Sequence, residues 1–160
     1  FPVKEEETTQ EKDYKVEHLL EQYKLYVQMA DNISNRRAQA NTFYITVLSG
    51  FLALMPVLNQ YKLAKSVSFI MLAGLLGTIL CIVWFFTIKQ YRKLNSGKFR
   101  VIHDMEKKLP FACYDIEWKY LNEGKEKYTN LTRVEQLVPS LLALPYLYMF
   151  FSSFLSILFG

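Results

Sequence analysis

Hydrophobic and polar positions along this chain fall into long blocks instead of alternating. From Ala38 to Tyr61, from Ser66 to Ile88 and from Leu137 to Gly160 there is no Lys, Arg, Asp or Glu. At about 1.5 Å per helical residue, each block matches a bilayer core of roughly 30 Å. The second reads SVSFIMLAGLLGTILCIVWFFTI and the third LVPSLLALPYLYMFFSSFLSILFG. The first is more polar, carrying Asn41, Thr42, Thr46 and Ser49. One domain's worth of chain has too little left to cover three such runs in water. They are read as transmembrane helices over 39–60, 66–88 and 134–159, in an all-α integral membrane protein.

The remaining segments carry helical patterns of their own. In 1–38, Thr8 and Glu11 have capping-box spacing and predict a helix start near Thr9. Val16, Leu20, Tyr23, Val27 and Ala30 then form one apolar stripe, widened by Leu19, Tyr26 and Ile33. That seam faces either the chain's own second polar helix or another protomer. No Pro or Gly separates it from the first span, so one long helix is expected to run from water into lipid. The second span also overruns the membrane. Tyr91, Leu94, Val101, Ile102, Met105 and Leu109 keep helical spacing through 89–109, until Pro110. Gly97 is expected to loosen that extension. A loop and short helix fill 110–133, with Trp118 and Tyr120 as packing anchors and Asn122-Glu123-Gly124 as a turn. Thr132 and Glu135 have capping-box spacing and predict the start of the third membrane helix.

Charge adds an orientation. Mean hydropathy is only +0.05, because apolar blocks and charged segments cancel. Arg36 and Arg37 precede span one, Lys89, Arg92, Lys93, Lys98 and Arg100 follow span two, and Arg133 precedes span three. The connection between spans one and two has only Lys62 and Lys65. The positive-inside rule therefore places the N-terminal segment and the 89–133 loop in the cytoplasm and the C-terminus outside. KEEETTQEKDYK has no apolar centre and is not expected to act as a signal peptide. Cys81 falls in mid-span and Cys113 in the loop, so no disulfide is expected.

Candidate chemistry is sparse. His103-Asp104-Met105-Glu106 holds metal-ligating residue types, but no HxxxH, HExxH or CxxC accompanies it, and no metal or other cofactor is expected. No constellation of nucleophile and base is visible, which argues against an enzyme. Asp104, Glu106, Asp115 and Glu117 are read as a solvated charged surface. Anionic lipid headgroups account for the Lys89–Arg100 cluster without invoking nucleic acid. The spans are more informative. Ala73, Gly77 and Cys81 make a small-residue row on span two, suited to close helix packing. Thr42, Thr46, Ser49, Ala53, Pro56 and Gln60 make a stripe on span one that either packs on a neighbouring helix or lines water in an oligomer. None of the three uncharged runs, 38–61, 66–88 and 137–160, offers an Asp, Glu, His, Lys or Arg side chain, which disfavours proton relays and voltage sensing.

Four segments, NRRAQANTFYITVLSG, YRKLNSGKFRVIHDMEKKLP, PFACYDIEWKYL and LTRVEQLVP, resemble the RipA-like octameric membrane proteins of bacteria. That set includes the pore-forming accessory protein of type VI-B CRISPR systems. The likeness covers roughly 32–145; its polar motif includes Arg92, Asn95, Lys98, His103, Tyr114, Asp115, Glu117 and Trp118. The resemblance implies a homo-oligomeric, eight-fold ring in the bacterial inner membrane. For the CRISPR-linked branch it further implies a gated pore that depolarises infected cells together with an RNA-guided RNA nuclease. An Arg-x4–6-His nuclease motif has been discussed for that branch. Here Arg100 and His103 are three apart and Arg92 and His103 eleven apart, so a ribonuclease role is not carried over. The expected function is an oligomeric membrane pore in antiphage defence, the alternative a non-conducting scaffold.

Overall fold

The computed structural model describes residues 3–61, 66–123 and 131–159, with the side chains of 13–61, 66–122 and 133–159. Its elements are four helices: α1 (Val3–Gln60), α2 (Val67–Glu106), α3 (Cys113–Glu123) and α4 (Leu131–Phe159). Lys62, Lys65 and Gly124 lie outside the described residues.

The helix ends follow local chemistry. α1 starts at Val3, several residues before the Thr8 box. The Ser66 carbonyl accepts from Phe69 N–H at 3.0 Å and Ile70 N–H at 3.2 Å, making Ser66 the cap of α2. α2 runs unbroken through Gly97, where an added Cβ would meet nothing within 4 Å. It ends at Glu106 and not at Leu109. There Lys108 N–H turns back to the Met105 carbonyl and Leu109 N–H to the Glu106 carbonyl, each at 3.0 Å. The residue before a proline resists helical geometry, so Pro110 acts upstream of itself. Asn122 and Glu123 belong to α3, not to a turn. α4 starts at Leu131, one residue before the expected Thr132 cap.

These helices contribute to two compact units. The extramembrane unit comprises residues within Phe1–Asn35 and Lys93–Thr129. Its α1 seam packs against the polar end of α2 and not outward as a whole. Ala30 and Ile33 are buried, Tyr23, Tyr26 and Val27 half-buried, and only Val16 and Leu20 exposed. The Lys98 ammonium lies 4.5 Å from the Tyr26 ring centre and 3.6 Å from Met29 Sδ. Trp118 and Tyr120 are not packing anchors: they are 53% and 74% exposed. Phe99 and Tyr114, edge to face at 5.4 Å, join α2 to α3 in their place.

The membrane unit comprises residues within Arg36–Arg92 and Asn130–Gly160. Among the described residues, three helices are long and apolar enough to cross a membrane. Leu48, Cys81, Trp84, Ile88 and Tyr146 form its core, flanked by Tyr44, Phe51, Leu52, Val138, Leu142 and Ala143. Most other span side chains are exposed, including Leu54, Leu76, Phe86, Leu144 and Phe151. A surface so apolar requires lipid or further copies as its solvent.

Candidate functional site

In the membrane unit the small residues of α2 and one tyrosine of α4 determine how closely the helices approach. Ala73, Gly74, Gly77 and Cys81 are all buried. A Cβ at Gly74 would lie 2.6 Å from Phe150 N and 2.7 Å from the Tyr146 carbonyl oxygen, so α4 backbone occupies that space. A Cβ at Gly77 would collide with the Tyr146 ring. Tyr146 is fully buried, and its hydroxyl donates to the Leu48 carbonyl at 2.6 Å. One side chain thereby fills the notch at Gly77 on α2 and bonds α1.

Two more polar contacts close the unit. Trp84 Nε1 donates to Asn41 Oδ1 at 2.9 Å, while its ring stacks on Tyr44 with centroids 5.7 Å apart. Arg37 and Glu135 pair at 2.9 Å, both side chains about four-fifths buried. Glu135 Oε2 is buried without a hydrogen bond. Burying such polar groups is costly unless they are paired. The pairings therefore fix one register for the three helices.

The polar stripe of α1 behaves in the opposite way. Thr42, Thr46, Ser49, Ala53, Pro56 and Gln60 are all exposed in the protomer. An added Cβ at neighbouring Gly50 would meet nothing within 4 Å. Among the described residues the stripe is exposed along its whole length.

In the extramembrane unit Glu106 is the organising residue. It is 2% exposed, not part of a solvated surface. Its Oε1 accepts Tyr114 N–H at 2.9 Å and the Tyr23 hydroxyl at 3.0 Å, and its Oε2 accepts Asp115 N–H at 3.2 Å. The reason lies at the start of α3. The Ala112 carbonyl accepts from Ile116 N–H at 3.1 Å, which makes Ala112 the capping position, yet alanine has no side-chain acceptor. Glu106 supplies the missing cap from the end of α2, at the two amides a capping side chain would take. Burial and the bond to Glu106 push the Tyr23 phenol well above its usual range. Burial also raises that of Tyr114, helped by the Asp31 carboxylate. Asp104 and Asp115 stay on the surface side, their carboxyls held low by Lys107 and Lys119 at 2.7 Å and 2.8 Å.

Of the sequence-selected polar motif, Asn95, His103, Tyr114, Glu117 and Trp118 line one open groove between α2 and α3, with a volume of about 470 Å³. Ser96, Phe99, Arg100 and Leu121 complete it. Arg92 points to solvent, Lys98 sits on Tyr26, and Asp115 pairs with Lys119. Among the described residues, no group of three or more His, Cys, Asp or Glu is placed to hold a metal ion. Sequence reasoning passed over Tyr146, Gly74, the Trp84–Asn41 bond and the Arg37–Glu135 pair as site-building residues. A hydroxyl and a carboxamide inside apolar runs were the available signal, since each demands a partner in lipid.

Three membrane-competent helices around a buried core, with a polar stripe of one span exposed among the described residues, define a helical membrane protein. The model of the octameric membrane protein family (8xMP) matches residues 20–155, and the chain belongs to that family. Neither curated proteins nor solved structures yield a match.

Proposed function

We propose that copies of this chain form a ring in the bacterial inner membrane and line a neutral, water-filled path with the exposed stripe of α1. One observation carries the reading: all six stripe residues from Thr42 to Gln60 are exposed, while Asn41, Trp84 and Tyr146 are paired inside the protomer. Hydroxyls and a carboxamide facing hydrocarbon are unfavourable, so the stripe needs water or a neighbour. The family's octameric description supports eight copies around an axis. With no charge along it, such a path would select weakly among ions. Opening it would dissipate about 2.3 kcal/mol per elementary charge per 100 mV. The distribution of Lys and Arg supports a cytoplasmic N-terminus and 89–133 loop and an external C-terminus. The likeness to the CRISPR-linked branch supports an accessory, non-enzymatic role beside an RNA-guided RNA nuclease in antiphage defence.

Liposomes loaded with a self-quenched dye test the pore directly. Reconstituted wild-type protein, alone or with the partner nuclease, is expected to release dye, and Thr46→Leu or Ser49→Leu to slow release while leaving oligomer size intact. Intact oligomers that never release dye refute conduction. That outcome favours the alternative, a non-conducting scaffold, for which the large exposed side chains Phe43, Ile45, Leu54 and Val57 on the same helix speak.

A further inference from the structure

The groove between α2 and α3 has the dimensions and the lining of a small-molecule site. About 470 Å³ falls within the roughly 300–1,000 Å³ typical of ligand pockets. Two helical faces build it. Asn95, Phe99 and His103 recur every fourth residue on α2, with Arg100 beside them; Tyr114, Glu117, Trp118 and Leu121 recur on α3. Its polar groups are largely unused. Asn95 Oδ1 is buried without a hydrogen bond. The side chains of Arg100, His103 and Glu117 make no hydrogen bond or ion pair among the described residues. A protein that needed this face only for packing would not leave a carboxamide orphaned beside an open cavity, since an unsatisfied buried acceptor costs stability.

The lining specifies its occupant by chemistry. Trp118 offers an exposed aromatic face, in a groove also lined by Phe99 and Tyr114, and therefore suits a flat ring. A carboxamide such as that of Asn95 pairs with the amide-like edge of a heterocycle. The Arg100 guanidinium and the His103 imidazole donate to an anion, best a phosphate. Glu117 accepts only, and so calls for hydroxyl donors on the same ligand. Ring, hydroxyls and phosphate in one small molecule describe a nucleotide. We propose that the groove binds a free nucleoside 5′-monophosphate, the base against Trp118 and Asn95, the ribose hydroxyls toward Glu117, and the phosphate toward Arg100 and His103. The site stands independently of whether the membrane unit conducts.

The chain has two tryptophans, and Trp84 is buried in the membrane unit, so Trp118 is the natural reporter. The full-length protein in detergent is titrated with AMP, GMP, CMP and UMP, with fluorescence and equilibrium dialysis read in parallel. At least one is expected to bind saturably, with a dissociation constant of about 1 mM or tighter. Ribose 5-phosphate and the nucleoside of the tightest-binding nucleotide should each bind about tenfold or more weakly than that nucleotide. Arg100→Ala and Trp118→Ala should weaken binding by about tenfold or more. Both side chains are exposed, so unchanged helicity by circular dichroism is expected. Lys107→Ala, outside the groove, should bind as the wild type does. Trp118→Phe should keep binding by dialysis and lose the quench. The proposal is overturned if none of the four nucleotides binds, if Arg100→Ala and Trp118→Ala bind as tightly as wild type, or if ribose 5-phosphate binds as tightly as the tightest-binding nucleotide. A short single-stranded oligoribonucleotide that binds more tightly than every mononucleotide overturns the free-nucleotide assignment.

Discussion

The close approach of α2 and α4 at Gly77 makes Gly77→Ala a sharp test of the membrane unit's architecture. The added methyl would overlap the Tyr146 ring. That ring has little freedom to yield. It is fully buried, it stacks on Phe51 with centroids 6.4 Å apart, and its hydroxyl is held by the Leu48 carbonyl at 2.6 Å. Gly74, one helical turn before Gly77, faces α4 backbone, so a slide of the helices would bring other atoms together. Overpacking of a tight core costs about 1–3 kcal/mol, and a ring fixed on several sides argues for the upper end. Replacing a mid-helix glycine by alanine returns about 1 kcal/mol of helix propensity. The net expectation is a loss of about 2 kcal/mol, roughly a thirtyfold shift in the folding equilibrium.

Gly50→Ala is the matched control. It makes the same chemical change on α1, with nothing within 4 Å in the protomer, so only the propensity gain applies there. Reversible unfolding in mixed detergent–SDS micelles, followed by the Trp84 signal, measures both. Tyr146→Ala in the Gly77→Ala background should recover part of the Gly77 loss, giving a favourable coupling energy in the double-mutant cycle. If Gly77→Ala is neutral, or if Gly50→Ala costs as much, the close α2–α4 packing argued above is wrong.

Glu106→Ala should remove the cap of α3 and the partner of Tyr23, costing about 3–4 kcal/mol in the extramembrane unit, and Glu106→Gln less; faster hydrogen exchange at the Tyr114 and Asp115 amides is the readout. Because the folded-state phenols of Tyr23 and Tyr114 titrate above their unfolded values, the stability they contribute is complete below about pH 10 and is lost as pH rises further. Denaturant titrations between neutral and strongly alkaline pH should show that decline, flattened in Tyr23→Phe. Arg37→Ala should cost about 2–3 kcal/mol by stranding a mostly buried carboxylate, and Arg37→Ala with Glu135→Gln should recover most of it. A double variant no more stable than Arg37→Ala alone would show that the pair contributes little.

Much of the fold was legible because membrane helices announce themselves by length and by missing charge, and those signals are local. The uninterrupted passage of α1 from its polar segment into its apolar one followed from the absence of Pro and Gly, again a local property. Positions whose state depends on another element read differently. Glu106 looks like one more acidic residue in a charged run; only the uncapped start of α3 at Ala112 turns it into a buried acceptor. Trp118 looks like a core aromatic but stands at the rim of a groove. Ala73, Gly77 and Cys81 were visible as a small-residue row, whereas the Tyr146 ring that fills the notch at Gly77 was not, since sequence spacing says nothing about register between helices.

The membrane unit also explains why the polar stripe of α1 remains available. α2 presents its small residues to α4, and Tyr146 of α4 both fills the notch at Gly77 and bonds the α1 backbone. The face of α1 that carries Tyr44, Leu48 and Phe51 is therefore occupied. Thr42, Thr46 and Ser49 lie on a face of the same helix that its inward contacts do not reach. A hydroxyl in lipid can satisfy itself by bonding back to its own helix, as Thr78 and Thr87 do on α2 at 2.8 Å. No such bond engages Thr42, Thr46 or Ser49 among the described residues. In the proposed ring a neighbouring copy or water would supply the partner that those hydroxyls lack among the described residues.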